Sequence, residues 1–238
     1  MGNLENLKSR REFMRSLVIG GTTALIGGGA LADVQIISAA SRMSAAADTV
    51  WAQVPEILQR IKPPVFPKRD FIITRFGAVI DGKSDCTAAF AKAIAACHEA
   101  GGGRVVVPAG VFATGAIHLK SNVNLHVTAG ATIAFSTDVK KYLPVVFTRW
   151  EGVELMNYSP FIYAFEQQNI GISGGGTLDG QADAGHWWAW RERQLGPNGD
   201  RARLMDMATR GVPVAQRVFG AGRFLRPVLS SRTAVRTF

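Results

Sequence analysis

The amino-acid sequence predicts an all-β coiled architecture, a stack of short strands closed at its N-terminal end by one capping α-helix. Two observations carry this. Between residues 104 and 173, apolar runs of three to five residues are separated by Gly, Asn or Ser, with no convincing helix among them, a spacing that suits coiled β structures. Just before them, Ala89, Phe90, Ala93, Ile94 and Cys97 recur at i, i+1, i+4, i+5 and i+8, which gives a helix one apolar face able to cover the open end of a stack. A β-sandwich is the alternative reading of the strands.

The elements follow in chain order. In residues 1–32, Arg10 and Arg11 precede an uncharged, mostly apolar run from residue 17 to 32, the pattern of a twin-arginine export signal. Cleavage is expected after Ala30-Leu31-Ala32 or Ser38-Ala39-Ala40. The competing reading is a membrane anchor, but the run is short of the roughly 20 apolar residues a spanning helix needs. The mature protein is therefore expected in the periplasm or outside the cell, delivered by the twin-arginine export machinery and without a stable membrane span.

Residues 33–70 read as a linker with a short helix, since Val50, Val54, Ile57, Leu58 and Ile61 fall at helical spacing. Pro55 weakens an unbroken helix, and Pro63, Pro64 and Pro67 impose extended backbone. A strand starts at Phe71-Ile72-Ile73, with turns at Gly77 and Asp81-Gly82. The capping helix begins near Ser84, Asp85 or Thr87, each able to accept its first amide protons, and stops at Gly101. Strands are then expected around Val105-Val106-Val107, Ala116-Ile117-His118-Leu119, residues 123–127, Thr132-Ile133-Ala134-Phe135 and Ile170-Gly171-Ile172-Ser173.

Composition narrows the function classes. The net charge is +9, yet residues 33–190 carry 13 basic and 13 acidic residues. Ten arginines against three acids after residue 190 supply +7 and the export segment +2. The excess is local, so we expect solvated arginines in a poorly ordered end, with a basic groove for an acidic polymer as the alternative and no nucleic-acid partner. Cys86 and Cys97 sit 11 residues apart at the two ends of one helix, roughly 16 Å along its axis, too far for a disulfide. Both are expected as free, packed thiols.

His98, His118, His126 and His186 lack metal-ligand spacing, and the glycine triplets at Gly101 and Gly174 lack a phosphate-loop lysine; neither a metal nor another cofactor is expected. Trp187, Trp188 and Trp190 form an aromatic cluster that could stack on sugar rings or pack a surface loop.

Several blocks together resemble glycoside hydrolase family 28, the polygalacturonases of pectin degradation. They run from Phe76-Gly77-Ala78 with Asp81-Gly82, through Gly101-Gly102-Gly103-Arg104-Val105, Pro108-Ala109-Gly110 and Leu119-Lys120-Ser121-Asn122-Val123. More specific are Arg149-Trp150-Glu151-Gly152, Asn157-Tyr158-Ser159-Pro160, Gly174-Gly175-Gly176-Thr177-Leu178-Asp179-Gly180, the tryptophans, and Arg217-Val218-Phe219-Gly220 with Leu225-Arg226-Pro227. The resemblance implies a right-handed, single-stranded parallel β-helix over residues 71–227, and a secreted glycosidase acting on pectin or polygalacturonate. The early blocks are shared with other pectin-acting and phage-tail β-helices, so a pectate lyase and a non-catalytic polysaccharide-binding module remain alternatives.

The family's catalytic motifs, aspartates in N-T-D and D-D, a G-H-G histidine and an R-I-K pair, do not occur in this chain in that order, so no catalytic residue is assigned. Arg60-Ile61-Lys62 spells the last motif but precedes the first coil, and Gly185-His186-Trp187 only partly matches the histidine motif. From residue 228 to 238 the resemblance gives way to a divergent tail without a strand pattern. We therefore expect a truncated family member, from a shortened or frame-shifted gene.

Overall fold

A computed structural model describes residues 51–196 and 198–233. Arg10 and Arg11, the rest of the expected export signal and the last residues of the tail lie outside the described residues. The chain divides into two compact units, one ending at Ile61 and one starting at Lys62. The described part of the first unit is helix α1 (Val54–Arg60). Pro55 stands in its first turn, where a missing N–H costs no hydrogen bond, so the proline starts the helix instead of breaking it. None of its residues is buried.

The second unit opens with β1 (Asp70–Ile72) and a 3-10 turn over Ile73–Phe76, followed by α2 (Thr87–Glu99). The α2 residues that become buried are Ala89, Phe90, Ala93, Ile94 and Cys97, the stripe that the spacing predicts. Its N-cap is Cys86, whose side chain makes no capping bond; the preceding Asp85 accepts the Thr87 amide at 3.0 Å instead. Past its C-cap Ala100, Gly101 turns the chain at φ +84°. Both cysteines are free and buried, and burial pushes the Cys97 thiol up to about 11, which leaves it an inert packing group.

After α2 the chain winds. The strands β2 (Gly103–Val107), β3 (Gly110–Thr114) and β4 (Ile117–His118) make one coil; β5 (Val123–Val127), β6 (Ala131–Phe135) and β9 (Ile162–Phe165) make the next; β10 (Gly171–Ser173), β11 (Thr177–Asp179) and β13 (Ser230–Thr233) make a third. Each coil gives one strand to each of three sheets, ordered β1-β2-β5-β10, β3-β6-β11 and β4-β9-β13, and every pairing within them is parallel. This is a parallel β-helix. Val105 stacks on Leu125, Phe112 on Ile133 and Ile117 on Ile162, all 3% exposed or less. Like side chains thus line the interior in ladders, while their neighbours on each strand point outward.

The two glycine triplets serve this stacking. A Cβ on Gly102 would lie 2.5 Å from the Asn122 carbonyl oxygen, and one on Gly174 would lie 1.9 Å from that of Val127. Both also hold left-handed backbone, φ +105° and +104°, which a side chain disfavours.

Two excursions leave the coils. Residues 136–161 carry the antiparallel hairpin β7 (Val146–Trp150) and β8 (Val153–Asn157), turned at Glu151-Gly152 with φ +45° and +86°, as tight two-residue hairpins require. Residues 180–229 carry α3 (Trp190–Leu195), α4 (Asp200–Thr209) and β12 (Val218–Phe219). The last of these pairs with β8, so the excursions join in one lateral lobe around Trp150, Leu155, Leu204, Phe219 and Leu225.

Two expectations from the sequence are corrected by the structure. The divergent tail supplies β13, which pairs with β9 from Ile162 to Phe165. Backbone pairing with an open strand edge needs no hydrophobic pattern of its own. Four of the described arginines after residue 190 are also held in place: Arg201 pairs with Glu151 and Arg210 with Asp206, Arg217 donates to the Val212 and Glu154 carbonyls, and Arg223 reaches Asp200.

Candidate functional site

The outward side of the β4-β9-β13 sheet carries the main candidate. Alternation buries Ile117 and Leu119 and turns His118 and Lys120 outward. Tyr163 lies opposite His118 on the neighbouring coil, ring edge to ring face at 5.2 Å. Its hydroxyl donates to the Phe147 carbonyl at 2.7 Å, which ties β9 to the β7-β8 hairpin. A cleft of about 530 Å³ opens here between α2, β4 and residues 141–146. Phe90, Ile94, Leu143 and Pro144 give it apolar walls, and His118, Lys120, Lys141 and Ser159 give it polar groups.

His118 Nε2 lies 2.9 Å from Ser159 Oγ, and Ser159 Oγ also donates to the Pro160 carbonyl at 3.0 Å. With that proton committed, the imidazole must be the donor of the pair. The arrangement is thus the reverse of an activated serine, in which the hydroxyl would give its proton to the ring. Burial lowers the His118 pKa, so the ring is neutral at neutral pH. Lys141 is engaged by Asp85 at 2.6 Å, whereas Lys120 has no such partner among the described residues. The site therefore combines a neutral imidazole, one uncommitted ammonium and apolar walls, a set suited to holding a sugar that bears a carboxylate.

Four carboxylates depart from ordinary acidity, and all move down. Asp70 is held low by Arg104 and Asp81 falls to about 2 through the Ser84 hydroxyl and the Lys83 and Ser84 amides. Burial alone would raise Asp85, but Lys141 and Thr87 outweigh it; the His186 and Gly185 amides lower Asp183. None of these four has the raised pKa of a general acid.

The structure separates the three tryptophans. Trp187 is a core residue, 4% exposed, with its ring against Tyr142, Phe161 and Trp190 and its Nε1 donating to the Gly180 carbonyl. It has no face left for a sugar, which corrects the stacking expectation there. Trp190 packs on Tyr158 and Phe224. Trp188 is 62% exposed. His186 is taken by Asp183, and His98 and His126 face the Ser121 carbonyl and the Ser173 hydroxyl. Sequence reasoning treated the histidines alike and so missed His118. The signal was its outward parity beside inward Ile117 and Leu119.

Comparison with known proteins gives the site a context. No protein-family model matches the chain. A hyperthermoactive exopolygalacturonase from Thermotoga maritima is 46% identical with a TM-score of 0.69, covering 77% of this chain and 43% of that one. An exo-poly-α-D-galacturonosidase from Dickeya chrysanthemi is 37% identical over 116 residues, 45% of this chain and 19% of its own length. A mannuronan C5-epimerase from Azotobacter vinelandii is 48% identical, but only over 62 residues, 23% of this chain. The chain thus resembles the family-28 polygalacturonases in sequence and in fold, and spans less than half the length of these relatives.

Proposed function

We propose that the chain is the N-terminal portion of an exported family-28 polygalacturonase that hydrolyses α-linked galacturonate in pectin with inversion. The observation that carries this is the 46% identity to an exopolygalacturonase over 77% of the chain. Epimerase relatives are matched over 23% and 48% of the chain, less than the 77% covered by the exopolygalacturonase, as expected of start blocks that several β-helices share. In this reading the three coils form one wall of the substrate path. Lys120 meets a uronate carboxylate, while His118 and Ser159 line the floor. The acid and base, about 6.5–9.5 Å apart in an inverting site, come from coils further along.

Arg10 and Arg11 fit the same reading, since pectin lies outside the cell and the paired arginines mark twin-arginine export. The test has two parts. Translation of the DNA after the Pro227 codon in all three frames should show the aspartate, histidine and R-I-K motifs in order. The 238-residue chain itself should release neither reducing ends nor unsaturated uronate from polygalacturonate. Reducing ends from the purified chain would place the catalytic groups within it and overturn the assignment, and an unsaturated product would make it a lyase.

A further inference from the structure

A second groove lies on a different side, outside the β1-β2-β5-β10 sheet. Residues 65–69 cross that face as a strap. The Asn169 side chain donates to the Val65 carbonyl at 2.9 Å, and the Arg69 carbonyl accepts the Arg104 amide at 2.8 Å. Pro67 fixes the backbone between them. Phe66 lies over Gly171, where a Cβ would stand 3.1 Å from its ring. The strap and the sheet enclose about 400 Å³ lined by Phe66, Pro67, Lys68, Asp70, Arg104 and Asn124.

The polar groups of this groove are arranged for an anion. Asp70, the one acid in the lining, is held by Arg104 through two 2.7 Å bonds from Nε and Nη2, which keep it ionised and neutralised. The Asn124 side-chain oxygen Oδ1 accepts from the Ser173 hydroxyl at 2.9 Å. What remains unpaired among the described residues is Arg104 Nη1, the Asn124 amide protons and the Lys68 ammonium. All three are donors, and Phe66 adds an aromatic surface beside them. A sugar with a carboxylate uses both kinds of group, apolar ring face and charge-assisted hydrogen bonds.

We propose that this groove is a non-catalytic binding site for an acidic oligosaccharide, separate from the His118 cleft. The choice of a uronate rests on the polygalacturonase reading; the groove itself does not. The test is titration of the isotope-labelled chain with tetragalacturonate, followed by amide and side-chain NMR shifts, with a neutral cello-tetraose as control. Saturable shifts at Phe66, Arg104 and the Asn124 side chain are expected, weakened about fivefold by Lys68→Glu, the size of one exposed charge contact. Shifts at His118 and Tyr163 should be unchanged by that variant. Shifts confined to His118 and Tyr163 would overturn the groove and leave the polygalacturonase reading intact. Equal binding of the neutral sugar would overturn the ligand class. An absence of shifts anywhere at millimolar tetragalacturonate would overturn both.

Discussion

His118 shows how one side chain reports on the surface it occupies. Outward parity brings it to the cleft with part of its ring exposed, and the crowding of Tyr163 and Ser159 against the rest lowers its pKa. The unfolded chain then binds a proton more readily than the folded one as pH falls through the ordinary histidine range near 6.5. Its contribution to stability is full above that range and is lost as pH drops toward the folded pKa. An NMR titration should place the His118 transition below the ordinary histidine value near 6.5, and His118→Gln should flatten the acid side of the stability curve. A transition at or above the ordinary value would show that the cleft is open to water.

At the level of elements, sequence and structure agree where a pattern belongs to one segment. The α2 stripe from Ala89 to Cys97 was legible because helical spacing alone dictates it. The strands at residues 105–107, 123–127 and 132–135 were legible from β-branched runs between turns. The lateral lobe was not, because its parts are joined by residues distant in sequence. Asp200 sits at the start of α4, and its carboxylate accepts the Phe224 amide at 2.5 Å and meets Arg223 at 3.3 Å; no local pattern announces that bond. The outward parity of His118 was legible beside Ile117 and Leu119, but its place next to Tyr163 on the neighbouring coil was not, because that pairing is distant in sequence. Asp200 is 6% exposed, so Asp200→Ala should leave the Phe224 amide unpaired and cost about 1–3 kcal/mol. Hydrogen exchange should speed up at residues 200–225 and stay unchanged in β2 and β5. Uniform acceleration would mean that lobe and coils unfold as one.

The stack as a whole has two unlike ends. At the start, α2 covers the first coil and buries Phe90 and Ile94. On the last coil, Ile172 stacks on Leu125 yet is 45% exposed, because β10 is an edge of its sheet. Open parallel edges with uncovered apolar side chains invite association. The 238-residue chain should therefore self-associate in sedimentation experiments, and Ile172→Lys should shift it toward monomer; a monomeric parent chain would show that this edge is covered.

The same two ends fit the proposed function, in which the capped beginning would frame a polyuronate path. The decisive measurement is NMR of the first sugar released from α-linked polygalacturonate by a chain in which these coils are continued by the family's aspartate, histidine and R-I-K motifs. Inverting hydrolysis predicts the β-anomer at early times, before mutarotation, and no unsaturated uronate. Early release of the α-anomer, or of an unsaturated or epimerised product, would contradict it.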